Sequence, residues 1–411
     1  MSSSGKGVRA LLTAVLLAAV AACGGATSPE PTGSVTLTWW DYLDHSPMAD
    51  QAVDALVKRY QDGHPGVQIR RTAIPRAEFA AKLDEAIAAG TFPDIAAVDV
   101  AALPRLAAQD VLADLTPRFS SWEVKDLYLG PVRDSVQHDG KFYGVPLRTS
   151  TTALLYNRDL FTAAGIGTAP RTWDELRATA RALTAEGRSG LCFAAAGDDL
   201  TANFLPFLWQ AGGDVKDIGG DASVRALSFV DGLVNADRSA PADVLRWSNS
   251  DVEREFVEGR CAMMINGPVA VPAMNQAGLD WVAAPLPAGE AGSAARVGGE
   301  AWVLGRRGQH GDRAWDVVRW LAEERGNATE FGAWLTALPN RSDTIDDIGW
   351  RWDPNVPAFA GQLTRARPAY GARYPEVSEA ISTMARQVLG GERSAADAAG
   401  DARTRLEPLL R

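Results

Sequence analysis

Three groups of side chains sit where they could do chemistry. The first is the thiol of Cys23, which directly follows Val20-Ala21-Ala22 and ends an apolar run over residues 10–20, with Lys6 and Arg9 in front of it. That run is shorter than the ~20 residues a membrane span needs, so residues 1–22 read as an export signal. The second group follows strand-like runs: Trp40, Asp41 and Asp44 after the alternating stretch from residue 35, and Asp99 after Ile95-Ala96-Ala97-Val98. Ligands of α/β lobes sit beyond the carboxyl ends of strands. Carboxylates there accept hydrogen bonds from polar groups, and an indole can cover an apolar face. The third group is the pair Cys192 and Cys261, each inside an apolar run. In an exported chain they can form a disulfide, or remain buried free thiols.

Bond-making machinery is not visible in the same way. There is no G-x-S-x-G, no phosphate-cradling G-x-x-x-x-G-K-[ST], and no G-x-G-x-x-G after a strand. The four histidines (His45, His64, His138, His310) are widely spaced, with no Cys/His or H-E-x-x-H pattern. No metal and no cofactor is expected. The net charge of -10 argues against nucleic acid, which needs a basic face to release phosphate counterions.

The elements that must position these groups follow from periodicity. Residues 24–33 are small and Pro-rich and read as a flexible leash. Roughly 380 residues remain, more than one core usually supports, so two domains are expected. Residues 35–40 alternate as a strand. Ala49, Ala52, Val53, Leu56, Val57 and Tyr60 then trace a helical stripe, and Val67-Gln68-Ile69 resumes a strand. Phe79, Leu83, Ala86 and Ile87 mark a second helix before the strand at residue 95. Strand–helix–strand–helix–strand implies a parallel sheet with helices on its faces. Capping boxes at Thr172-Trp173-Asp174-Glu175 and Ser250-Asp251-Val252-Glu253 open further helices. Pro146, Pro285-Leu286-Pro287 and Pro339-Asn340 break elements apart.

Several strings together resemble one family. Phe142-Tyr143-Gly144-Val145-Pro146-Leu147, Ala153-Leu154-Leu155-Tyr156-Asn157-Arg158-Asp159-Leu160-Phe161 and Pro170-Arg171-Thr172-Trp173-Asp174-Glu175-Leu176 come first. Met263-Met264-Ile265-Asn266-Gly267-Pro268, Val297-Gly298-Gly299-Glu300-Ala301-Trp302, Leu338-Pro339-Asn340-Arg341 and Arg367-Pro368 with Tyr374-Pro375-Glu376-Val377-Ser378 follow in order. They are similar to the solute-binding proteins of carbohydrate ABC transporters, nearest the maltose and trehalose branch. The residues around Cys23 likewise resemble a bacterial lipobox, whose cysteine becomes a lipidated N-terminus.

The resemblance implies a two-lobed periplasmic-binding-protein-like α/β fold of class II type, with three crossover segments as the hinge. Residues 34–145 and 288–339 would form lobe 1, and 146–287 and 340–411 lobe 2. It implies a monomer anchored through Cys23 on the outer face of the cell membrane by the linker 23–33. Such a protein binds a di- or oligosaccharide and presents it to permease subunits. An exported glycoside-active enzyme, or a binder of a non-sugar polar or cationic solute, stays open as an alternative.

Matching its motifs residue by residue adds candidates. Arg76, Asp99 and Arg367 correspond to ligand-gripping positions. Ser150 stands in the first crossover where relatives carry Asn or Glu, and Asn249 where trehalose-type relatives carry an acid. Gly267 falls where relatives often carry a stacking Trp. Gly299 brings backbone to the ligand, and Glu300 would offer rim hydrogen bonds or meet a cation. Trp209 is a stacking candidate, whereas Trp302 reads as core.

Overall fold

The computed structural model describes residues 34–43, 47–334, 337–345, 354–368 and 371–410. In chain order its strands are β1 (Val35–Asp41), β2 (Val67–Ala73), β3 (Ile95–Asp99), β4 (Gln137–His138), β5 (Lys141–Phe142), β6 (Gly144–Ser150), β7 (Ala153–Asn157), β8 (Ser189–Cys192), β9 (Cys261–Asn266), β10 (Trp281–Ala284), β11 (Ala295–Arg296), β12 (Gly298–Leu304) and β13 (Ala366–Arg367). The first lobe is built on the sheet β2-β1-β3-β12-β6, and the second on β10-β7-β9-β8.

The β–α–β–α–β reading of the first hundred residues agrees with the structure. Helix Pro47–Gly63 buries Ala49, Val53, Leu56, Val57 and Tyr60, and helix Arg76–Ala89 stops at Gly90 in the left-handed region. The sheets are mixed, however, and not parallel throughout. β12 runs antiparallel to both β3 and β6, and β7 antiparallel to both β9 and β10. Local periodicity carries no information on such returns, because β12 reaches β3 from about 200 residues away. The helix before β9 also starts earlier than expected. Its capping box is Ser248 with Asp251, not Ser250 with Glu253.

Alternation along β1 decides the two adjacent tryptophans. Trp39 is fully buried and meets Trp302 edge-to-face with 4.6 Å between ring centroids, so Trp302 is core.

Sheet membership shows where the chain changes lobes. β6 continues through Ser150 in the first sheet and β7 begins the second at Ala153, so Thr151 and Thr152 make the first crossing, and a division at 145/146 falls inside β6. Residues 288–294 still pack on the second lobe, where Ala288 O accepts from Trp173 N and Ala294 O from Gln210 Nε2. The return is made at β11, which pairs in parallel with β13. Asn340 and Arg341 remain on the first lobe: Asn340 O accepts from Leu129 N, and Arg341 donates to Ala322 O. Prolines mark breaks between elements, and sheet partners decide the lobe.

Cys192 and Cys261 are disulfide-bonded, with 5.9 Å between Cα atoms, and both are buried in the second lobe. The bond closes a loop across a sequence separation of 69 residues, which restricts the unfolded chain. The double variant Cys192→Ala/Cys261→Ala should lose about 2–4 kcal/mol of unfolding free energy in urea titrations. The wild type with reductant, denatured and refolded, should approach the same value.

Candidate functional site

The carboxyl end of β3 and its neighbours bring three charges side by side. Strand register sets Glu300 opposite Asp99 on one flank and opposite Arg148 on the other. Glu300 is only 2% exposed. Arg148 meets both its oxygens in a bidentate fork, Tyr42 Oη donates to its Oε1 at 3.3 Å, and Arg76 approaches that oxygen at 3.5 Å. Arg76 comes from the first turn of its helix, lies 5.0 Å above the Tyr42 ring and reaches Asp99 at 3.5 Å. Burial, then Glu300 and Asp99, push the Tyr42 phenol well above its ordinary range, so it stays a neutral donor.

Glu300 therefore serves differently from the rim position expected of it. A carboxylate this buried needs cations and donors around it, and here it fixes Arg148 and Arg76 in place. Gly299 beside it has φ +116, and a Cβ there would stand 2.0 Å from Arg148 O. Only glycine meets both conditions. Its carbonyl accepts from Val100 N at 3.0 Å, next to Asp99.

Asp99 keeps about a third of its side-chain surface, and its Oδ1 takes the Ala101 N–H at 2.9 Å. Burial raises its carboxyl above the usual carboxylate range and Glu300 adds to this, while Arg296, Ala101 N–H and Arg76 pull it down.

The crossing segments form the floor between the lobes. Thr151 Oγ1 donates to Arg296 O at 2.8 Å. Ser150 and the Arg296 guanidinium both flank Gly298. Gly267 approaches Thr151 O so closely that a Cβ would stand at 3.3 Å. Arg367 is exposed on β13, in register with Arg296.

The second lobe answers with Asp199, Asn249 and Tyr374. Asn249 donates to Asp199 from both its backbone N (3.2 Å) and Nδ2 (2.8 Å). Its Oδ1 is buried and accepts no hydrogen bond among the described residues. Burial raises the Asp199 carboxyl, against the Asn249 N–H and Arg296. Burial likewise raises the Tyr374 phenol, whose surroundings include Arg296, Asp198 and Asp99, groups from both lobes. Tyr374 and Trp209 line an open cavity of about 600 Å³ that Gln137 and His138 of the first lobe also border. Trp209 is 2% exposed and mostly core, with only an edge available to that cavity.

Two candidates fall away from this cluster. Asp41 is fully buried and held by Arg71 at 2.8 and 2.9 Å, and Arg71 also bonds Asp50 and Asp54. Its side chain alternates onto the same face as Trp39, so it staples β1 and β2 to helix Pro47–Gly63. Trp40 is half-buried and packs against the apolar cluster of Tyr42, Phe79 and Val98. Asp44 and Cys23 lie outside the described residues. Sequence reasoning missed Tyr42, Arg148, Arg296, Asp199 and Tyr374. A signal existed for Arg148: a lone charge in the apolar strand Gly144-Val145-Pro146-Leu147 demands a partner. Among the described residues no cluster of His, Cys, Asp or Glu could hold a metal ion.

Glu300→Gln should lower unfolding free energy by about 3 kcal/mol, the low end for a broken buried pair because Arg148 keeps a fifth of its surface. Urea denaturation checks this, and a loss below about 1 kcal/mol would remove Glu300 from its anchoring role.

A family model described as bacterial extracellular solute-binding protein matches residues 45–328. The galactooligosaccharide-binding protein of Bacillus subtilis is 25% identical over 340 residues, 78% of this chain and 77% of that protein. The cyclic alpha-maltosyl-1,6-maltose binding protein from Arthrobacter globiformis superposes with TM-score 0.80 at 27% identity, covering 92% of this chain and 99% of that one. The GacH receptor of Streptomyces glaucescens, solved unliganded and with acarbose, gives 0.79 at 27% identity over 92% and 98%.

Proposed function

This chain belongs to the bacterial extracellular solute-binding protein family, and we propose that it captures a di- or oligosaccharide between its lobes and delivers it to the permease of a carbohydrate ABC importer. One observation carries the choice of ligand. Among the described residues, the cluster sets the carboxylates Asp99, Glu300 and Asp199 against the guanidinium groups of Arg76, Arg148 and Arg296. With Asp198 also near Asp199 and Tyr374, charges of both signs nearly offset each other, while the hydrogen-bonding capacity stays high. A net anionic or cationic solute would leave uncompensated charge in the cleft; a polyol would not. The buried Asn249 acceptor and the Tyr374 ring suit the hydroxyls and C–H faces of a sugar. The oligosaccharide relatives support the same choice.

Hydrolysis is disfavoured by the same geometry. A glycosidase needs two carboxyls free to act as acid and as base or nucleophile. Here Glu300 is locked by Arg148, and Asp199 by Asn249. Family membership supports a location outside the cytoplasmic membrane. We read Cys23 as its lipid attachment site, with residues 24–33 as the tether. Alanine at Cys23 should move the protein from the detergent phase to the aqueous phase in a partition assay.

A panel of trehalose, maltose, maltotriose and galacto-oligosaccharides should contain one sugar that raises the melting temperature and is recovered intact. Calorimetry with that sugar should show Asp99→Ala and Asn249→Ala each weakening binding by about 1.5–3 kcal/mol. Release of monosaccharide, or a response only to charged solutes, would overturn the reading.

A further inference from the structure

The second lobe carries a further cavity at the pole facing away from the cleft. The carboxyl end of β8 leads toward Asp199 and the cleft, whereas Ser189, at its amino end, borders a cavity of about 460 Å³. β9 starts at the same pole, because Cys261 is in register with Ser189 in the parallel pair. Thr184, Asn235, Arg188 and Arg238 line the cavity too. The two arginines are the charged residues of that lining among the described residues.

Neither guanidinium is neutralised there. Asp237, beside Arg238 in sequence, is taken by Arg177, and Glu186 is exposed and outside the lining. Arg188 Nε donates to Leu183 O at 3.1 Å, at the end of helix Trp173–Leu183. That bond uses one of its five N–H groups and holds the guanidinium while four remain to donate. The main chain beneath it is a closed turn: Ala185 N donates to Arg188 O and Arg188 N to Ala185 O, both at 3.0 Å.

Arg238 is held in a strained conformation. Its φ is +52, and the other non-glycine residues with positive φ among the described residues are Asp110 and Asp139. Aspartate enters that region readily and glycine enters it without strain, but arginine has neither advantage. The residue follows a π-helical turn, Gly232–Ala236, a form concentrated at functional sites. Strain of this kind clusters at ligand clamps, where the side chain and not the backbone decides the residue.

We propose that this cavity binds the phosphate group of a small molecule or lipid headgroup, with Arg188 and Arg238 donating to its oxygens and the Ser189 hydroxyl completing the cradle. A guanidinium fork matches the spacing of two phosphate oxygens, and the chain's net charge of -10 makes a cavity charged only by cations a local arrangement. The site is separate from the cleft and does not depend on which solute the cleft takes.

The test melts the full chain with inorganic phosphate, glycerol 3-phosphate or sodium chloride at matched ionic strength. Both phosphates should raise the melting temperature above chloride. Arg188→Gln and Arg238→Gln should each weaken calorimetric phosphate affinity by at least about tenfold. Arg238→Gly separates the side chain from the backbone: without phosphate it should melt higher than the wild type, yet lose the phosphate response. A response retained in all three variants, or equal stabilisation by chloride, would overturn the site. Co-sedimentation with phosphatidylglycerol vesicles distinguishes the sources. Capture lost in Arg238→Gln supports the site with a lipid headgroup as its ligand, and a response confined to the two soluble phosphates supports it with a free phosphate compound.

Discussion

A single buried carboxylate organises the cleft. Glu300 lies at 2% exposure in the middle of a sheet, where an unpaired charge is not tolerated. That constraint recruits Arg148 from β6, Arg76 from a helix start and Tyr42 from the end of β1. With β12 between β3 and β6, register sets Glu300 beside Arg148 on one flank and Asp99 on the other. The result is a set of preoriented donors facing Asp99. Preorganisation of this kind lowers the ordering cost when a ligand arrives.

The two lobes contribute unequally to that arrangement. The first supplies fixed charges locked by strand register. The second supplies groups held by a chain of amide hydrogen bonds from Asp199 through Asn249 and Asn266 to the crossing at Thr151. Such a chain links Asp199 to the crossing between the lobes through short, directional bonds. The disulfide stabilises that same lobe by restricting its unfolded chain.

Much of this was legible in the residue order, for identifiable reasons. The stripes of the first two helices and the placement of Asp99 at the end of a strand rest on short-range periodicity, and the structure agrees. The cysteine pair was left open between bridge and free thiols, because spacing alone cannot set two Cα atoms close together. Asp41 was misjudged because β1 runs on through it, which turns its side chain to the buried face with Leu37 and Trp39. Arg148 was missed because its importance comes from register with a strand more than a hundred residues away, and Arg296 because it sits on a two-residue strand paired 71 residues on, which no local pattern encodes. Gly267 and Ser150 came from family strings, and in the structure they stand at the crossing floor.

The two glycines of that floor differ in what they permit. Gly299 is shut to any side chain by its φ of +116 and a carbonyl 2.0 Å away. Gly267 has ordinary backbone angles and would need its neighbour to yield only slightly to admit a Cβ. A side chain can therefore be added beside Thr151 at Gly267 with little adjustment, whereas beside Arg148 the chain must keep glycine.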